Sequence, residues 1–314
     1  MKRLISLTVS LLILAIIYTK IDLPGLLQIF QNCHRFWMPV SLGMVIPLTA
    51  LTSWRLQQLS PASANLQFGE ANRLILAASV LNMVLPSKMG DIAKAYFMRD
   101  RGHLSGSLAL SLVVFEKACD MLSLLVWCAF GLAIYPSKDI LFWAMTSGVI
   151  GGLVALALLL GSRRFARLFF TTASRFAPKK IQVKIDKMRF SWGEMHEYFW
   201  QDTTQLTKIA VTSLFIWFCH LLQIWFFILA LNASVPFLAN LALSPLAILA
   251  GLLPLTFAGV GTRDAALILF YQPYFDPATG AALGLLCTGR YFIPALAGLP
   301  FLGQYISSIK IKGL

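Results

Sequence analysis

Apolar runs of membrane-spanning length recur along this chain, and two are broken by a Leu-Pro dipeptide with a glycine and an acid beyond it. The first copy reads Leu81-Asn82-Met83-Val84-Leu85-Pro86-Ser87-Lys88-Met89-Gly90-Asp91. The second reads Leu252-Leu253-Pro254, then Gly259-Val260-Gly261-Thr262-Arg263-Asp264. A bilayer core of about 30 Å needs roughly 20 consecutive apolar residues in one helix. Proline and glycine interrupt such a helix. Irregular backbone at that depth persists only where protein or a water-filled cavity shields it. Pro86, Gly90, Pro254, Gly259 and Gly261 therefore predict two discontinuous elements inside a membrane bundle, the setting in which transporters place their ligands.

Composition supports the membrane. Apolar residues are 58% of the 314 and charged residues 12%, with a mean hydropathy of +0.74, against about 25% charge in an average soluble chain. A single all-α integral membrane domain over residues 1–314 is expected. The longest polar stretch, 163–205, is too short and too basic for an enzymatic domain with its own core. Leu4–Tyr18 follows Met1-Lys2-Arg3, but the bulky, charged Tyr18-Thr19-Lys20-Ile21-Asp22 offers no small-residue cleavage site, so the run reads as a retained helix. The five cysteines are scattered without a CxxC pair, and the four histidines are dispersed. Neither pattern predicts a metal, a disulfide or a cofactor.

Six transmembrane helices are expected near 4–20, 37–55, 105–135, 140–161, 206–231 and 278–305. Two re-entrant helical hairpins are expected over 72–101 and 240–273. Positive charge sets the orientation. With a cytoplasmic N-terminus, the outer segments carry only Lys20, Arg35 and Lys138 of the 26 Lys and Arg, and the membrane holds Lys117, Arg263 and Arg290. All the others, Arg55, Lys88 and Lys94 among them, fall on inner segments. Both termini are then cytoplasmic. The first hairpin enters from the cytoplasm and the second from outside, so the halves 1–135 and 140–314 form an inverted-topology repeat with the ligand between the hairpin tips. The alternative is that each proline only kinks an ordinary spanning helix.

The basic segment 163–205 divides at Pro178. Phe165, Leu168, Phe169, Thr172, Ala173 and Phe176 share one helical face, with Arg164, Arg167, Thr171 and Arg175 on another. Ile181, Ile185, Met188, Trp192, Met195 and Phe199 mark the apolar side of a second helix. Two such helices suit an anionic inner leaflet, and the alternative is a solvated loop. The net charge of +13 thus needs no nucleic acid as partner.

Ionisable groups inside a span are costly and point to function. Glu116, Lys117 and Asp120 lie in the helix 105–135. Glu116 and Asp120 share a face, and Glu116 lies about 16 Å from the helix start, near the midplane. Arg263 and Asp264 open the returning half of the second hairpin; Asp91 and Lys94 do the same in the first. The functional reading places an anionic head group on Arg263 and Arg290, aided by the free amides after Ser87 and Thr262. Glu116, Lys117 and Asp120 then orient the arginines or carry protons, and His220 and Gln223 line the cavity. The structural alternative is a salt-bridge network of Arg263 and Arg290 with Glu116, Asp120 and Asp264. Gly148/Gly152 and Gly280/Gly284 predict close helix contacts, within the chain or across a dimer, and leave the oligomeric state open.

The stretch Asn82–Asp120, with Leu85-Pro86, Gly90-Asp91, Arg99, Arg101-Gly102 and Glu116-Lys117-Ala118-Cys119-Asp120, resembles the membrane region of lysylphosphatidylglycerol synthases and their stand-alone flippase-like relatives. Leu253-Pro254 with Gly259-Val260-Gly261-Thr262-Arg263-Asp264 is similar to the second signature of that family. Lys117 stands where arginine is common, and Asp264 where glutamate is common. The synthases' soluble aminoacyl-transfer domain has no counterpart here. The resemblance therefore implies translocation of a phospholipid or polyprenyl-type lipid between leaflets of a bacterial or archaeal cytoplasmic membrane, rather than synthesis. No GxxxxGK[ST] loop supplies ATP binding. Two other readings stay open: a membrane enzyme or accessory subunit acting on lipid-linked sugars, and a secondary transporter of a small soluble anion.

Overall fold

The computed structural model describes residues 23–84, 90–100, 104–135, 138–253 and 261–312. The expected first helix, 4–20, lies outside them, as do Pro86, Ser87, Pro254 and Gly259. Among the described residues the fold is all-helical, with no strand. The helices are α1 (Leu23–Gln31), α2 (Trp37–Gly43), α3 (Val45–Leu59), α4 (Phe68–Val84), α5 (Gly90–Asp100), α6 (Gly106–Ile134) and α7 (Ile140–Gly161). They continue with α8 (Arg163–Phe176), α9 (Lys179–Trp200), α10 (Thr203–Ala230), α11 (Phe237–Gly251), α12 (Thr262–Tyr271), α13 (Pro277–Gly289) and α14 (Phe292–Lys312). Ile140–Gly161 and Thr203–Ala230 are each long and apolar enough to cross a bilayer, as is Pro277–Tyr305 taken across the α13–α14 break. The protein is a multi-pass membrane protein.

Short polar residues set the helix starts. Ser105, Asp139, Ser162, Asp202 and Asp276 each accept a backbone N–H from the first turn of the helix that follows. They satisfy donors that would otherwise be orphaned. Prolines set two of the breaks. The expected helix 37–55 is interrupted at Met44, and the expected helix 278–305 divides into α13 and α14 at Arg290-Tyr291. Pro47 and Pro294 stand four residues after Gly43 and Arg290. A proline cannot donate to the carbonyl four residues back and crowds it.

The helices that flank each predicted Leu-Pro segment touch one another, α4 with α5 and α11 with α12. A β-carbon on Gly90 of α5 would overlap the Ala78 carbonyl of α4 and come within 2.7 Å of the Asn82 amide nitrogen. One on Gly251 of α11 would stand 2.7 Å from Arg263 Cβ of α12. The small residues are thus where the two arms touch. Gly280 and Gly284 of α13 meet Ile268 and Asp264 of α12, so this pair packs within the chain. Gly152 meets only a Leu125 side chain, and nothing within the chain lies within 4 Å of a β-carbon on Gly148.

The core is divided along α6. Its N-terminal half (Ala109, Leu112, Val113, Phe115, Cys119) packs with α3, α4, α5, α8, α9 and α14. Its C-terminal half (Leu124, Leu125, Cys128, Leu132) packs with α1, α7, α10, α11, α12 and α13. The α4–α5 pair therefore belongs to one half of α6 and the α11–α12 pair to the other. Meanwhile α7 leaves Ile140, Trp143, Ile150 and Val154 exposed, as a helix facing lipid does.

The basic segment forms two helices on either side of Pro178, as expected, but its apolar residues are divided differently. Ala166 and Phe170 are buried, whereas Leu168, Phe169 and Phe176 point outward beside exposed Arg164, Arg167 and Arg175. Two residues of α9 clasp the end of α7: the Trp192 and Trp200 indoles donate to the Leu159 and Leu160 carbonyls, each at 3.1 Å. Between them Arg163 Nε donates to His196 Nδ1 at 3.0 Å. Burial, and then the Arg163 charge, hold the His196 imidazole below its ordinary pKa, so it stays a neutral acceptor.

Candidate functional site

Among the described residues, two charge clusters are buried in the bundle. The first joins α3, α5 and α6. Arg55 of α3 is 2% exposed and reaches Glu116 Oε1 at 3.2 Å and Asp120 Oδ1 at 2.5 Å. It also donates to Ser213 Oγ of α10 at 2.9 Å. Lys94 of α5, fully buried, holds the other Glu116 oxygen at 2.5 Å. On the more open side Lys117 reaches Asp91 Oδ2 at 3.0 Å and Asp120 Oδ2 at 3.4 Å. Arg55, Lys94 and Lys117 thus balance Asp91, Glu116 and Asp120 charge for charge. The α-helical spacing of Glu116 and Asp120 points both carboxylates at one guanidinium.

Arg55 and Lys94, which charge patterning assigns to inner segments, are both buried in ion pairs. The arrangement corrects one expectation. Glu116 and Asp120 are expected to orient or pair with Arg263 and Arg290. Among the described residues their partners are instead Arg55, Lys94 and Lys117. An apolar-run reading misses Arg55 because a cation at a helix end looks like an interface anchor. The signal that could have found it is the pair of acids on α6, which need a cation on a neighbouring helix.

The second cluster joins α10, α12, α13 and the start of α14. Gly261 has φ 101°, a conformation that only glycine adopts cheaply. Its N–H donates to Asp264 Oδ2 at 3.1 Å. One N–H at the N-terminus of α12, that of Gly261, is thus taken by the helix's own acid. Arg263 donates to Asp264 Oδ1 at 2.7 Å, to the Gly284 carbonyl at 3.1 Å and to Thr288 Oγ1 at 2.7 Å. These bonds tie α12 to α13.

Arg290 stands at the break between α13 and α14 and is 6% exposed. It donates to Gln223 Oε1 at 2.8 Å and to the Tyr291 hydroxyl at 3.2 Å. Gln223, fully buried, in turn donates to the Ser41 carbonyl at 2.9 Å. No carboxylate among the described residues pairs with Arg290, and its Nε is buried without a hydrogen-bond partner among them. The sequence pointed to Arg290 and Gln223 but not to Thr288 or Tyr291, and it treated the break as continuous helix. Pro294 was the signal. Ser213 and Gln223 lie ten residues apart on α10, so the clusters are separated by about 15 Å along that helix. The structure brings Arg263 and Asp264 together, and Asp91 with Lys117. It does not join the two clusters into one.

Comparison with known proteins shows the family. Residues 3–298 match the lysylphosphatidylglycerol synthase TM region. The UPF0104 membrane protein MJ1595 of Methanocaldococcus jannaschii is 24% identical over 99% of this chain and 95% of its own length. A second UPF0104 membrane protein of that organism, MJ1078, is 24% identical over 60% of this chain and 77% of its own. The match over nearly the whole chain places this protein in the family of the lysylphosphatidylglycerol synthase TM region.

Proposed function

We propose that the protein translocates an anionic lipid, a phospholipid or a polyprenyl-linked precursor, between the leaflets of a prokaryotic cytoplasmic membrane. The observation that carries this reading is a pair of buried arginines, Arg263 and Arg290, each at a helix discontinuity inside an apolar bundle. Such breaks concentrate polar groups where a charged head must be held away from hydrocarbon. The head group binds in the second cluster while its chains stay in lipid. The first cluster pins α5 to α3 and α6, and its carboxylates are the candidates for proton coupling. Exposed Leu168, Phe169 and Phe176 beside Arg164, Arg167 and Arg175 suit α8 to the anionic inner leaflet.

The same reading covers the architecture: six spanning helices plus two re-entrant hairpins, in inverted halves with both termini inside. At about 1.5 Å per residue, α4, α5, α11 and α12 measure roughly 15–25 Å, short of a 30 Å core. Packing of the two helix pairs against opposite halves of α6 supports entry from opposite faces. Cys33, half-buried in the loop after α1, is then extracellular. An impermeant thiol reagent added to intact cells is expected to label it, and labelling only after lysis would overturn the inverted topology.

The function is tested with purified protein in vesicles carrying head-group-labelled lipid, quenched chemically from outside. Label from the inner leaflet is expected to become quenchable with wild type and not in protein-free vesicles. Equal behaviour of the two across a panel of anionic lipids would end the translocation reading.

A further inference from the structure

The two arginines of the second cluster are not equivalent. Arg263 is neutralised by Asp264 and fastened to Gly284 and Thr288. Its charge is already spent on joining α12 to α13. Arg290 is buried as deeply, yet its partners are an amide and a phenol. An ionised group removed from water is stable only when an opposite charge or a full set of hydrogen bonds replaces its hydration. Among the described residues, the cluster of Arg263, Asp264 and Arg290 thus carries one uncompensated positive charge, beside a buried Nε donor that is unused.

The surface next to Arg290 is apolar. Phe292, Ile293, Leu296 and Leu299 are exposed along one side of α14, at the helical spacing that makes a continuous stripe. A head group at Arg290 would have its chains on this stripe, in the bilayer.

We infer that Arg290, held by Gln223 and Tyr291, is the anion socket of the translocation path and takes a single phosphodiester, the monoanionic link of a phospholipid, rather than a diphosphate. The reason is charge: a monoanion brings the cluster to neutrality, whereas a diphosphate leaves excess negative charge beside Asp264. Planar guanidinium offers two parallel donors to a phosphodiester, and the free Nε is one of them. Arg263 is a positioning residue that keeps α12 and α13 together. This inference rests on the lipid-translocation reading and deepens it.

The test compares binding with transport. Detergent-purified full-length protein is titrated with phosphatidylglycerol, with its water-soluble head glycerophosphoglycerol, with inorganic phosphate and with a polyprenyl diphosphate. Wild type, Arg290→Gln and Arg290→Lys are compared, and the same proteins are assayed in vesicles. Wild type is expected to bind phosphatidylglycerol at least about tenfold more tightly than either soluble anion, and more tightly than the diphosphate lipid. Arg290→Gln should lose about tenfold or more, the scale of a charge-assisted hydrogen bond, with partial rescue by Arg290→Lys. Lipid-free Arg290→Gln should melt no lower than wild type, because it removes an unpaired buried charge.

Wild-type affinity of Arg290→Gln for phosphatidylglycerol would overturn the socket. Loss of melting temperature with lipid binding intact would mark the arginine as structural and overturn it equally. A preference for the diphosphate lipid would overturn the single-charge assignment. Equal binding of the soluble diester would remove the role of the α14 stripe and redirect the site to a soluble anion. If wild type moves labelled lipid while Arg290→Gln binds and moves it equally, only this inference falls. If wild type moves none, the reading beneath it falls.

Discussion

Replacing Arg55 by methionine is expected to destabilise the protein by about 3–5 kcal/mol, the cost of leaving a buried partner uncompensated. Methionine fills much the same volume and suits a helix, so packing is nearly preserved and the loss reports the charge. Arg55 is the hub of the first cluster, with Glu116, Asp120 and Ser213 all on its guanidinium. Without it three carboxylates face two lysines. Lys94 still holds Glu116, and Asp120 retains only the longer contact to half-exposed Lys117. The excess charge therefore falls chiefly on Asp120.

Unfolding in detergent, followed by heat or by titration with a denaturing detergent, measures the effect. Arg55→Met with Asp120→Asn restores the balance and should recover a substantial part of the loss. The double variant is the control that separates charge from shape, because contacting residues are non-additive. Equal destabilisation by the single and double variants would show that Arg55 acts by packing alone.

Gly298→Ala is expected to be the most damaging small substitution on α14, at about 3 kcal/mol, the upper part of the overpacking range. A β-carbon there would overlap the Leu76 carbonyl oxygen of α4, and it would come within 2.6 Å of the carbonyl carbon and 2.8 Å of Val80 Cγ2. Two of these three atoms are helix backbone, so relief requires moving α14 off α4. Alanine gains about 1 kcal/mol in helix propensity over glycine, too little to offset that. Gly131→Ala should behave alike, because its β-carbon would meet the Ala242 backbone of α11. Gly148→Ala is the counter-case: nothing lies within 4 Å, so it should be neutral or mildly stabilising. The same denaturation assay ranks the three. Similar effects at Gly298 and Gly148 would show that the α4–α14 contact yields more easily than its geometry implies.

Several elements were legible in the sequence because their determinants are local. The helices expected at 105–135, 140–161 and 206–231 are observed as the helices Gly106–Ile134, Ile140–Gly161 and Thr203–Ala230. Long apolar runs bounded by Ser, Asp or Pro leave little room for error. Proline was less readable. Pro47 and Pro294 coincide with breaks, whereas Pro245 and Pro300 sit inside continuous helices. A proline weakens one hydrogen bond in either case. Whether the helix then parts depends on neighbouring helices that replace the lost bond, and those are distant in sequence.

The small-residue pattern shows the same division. Gly280 and Gly284 proved to be contact points, but the tightest crossings use Gly131 and Gly298, which lack a partner four residues away. The site was similarly half visible. Ionisable residues within apolar runs identified Glu116, Asp120, Arg263 and Arg290 as the costly groups, because burial of charge is a property of each position. Their pairing was not visible, since Arg55 and Glu116 are 61 residues apart.

By itself the sequence determined a membrane-embedded helical bundle and the residues whose charges must be managed there. Hydrophobic length and the cost of a buried ion settle these one segment at a time. Tertiary structure alone decided which charges cancel. It closed the α3–α5–α6 cluster to neutrality, joined Arg263 to Asp264 and left Arg290 at a helix break with no carboxylate partner among the described residues. The physical reason is that Coulomb pairing at about 3 Å depends on how helices cross in space. Helix crossing is fixed by contacts such as Gly298 on Leu76 that no single segment contains.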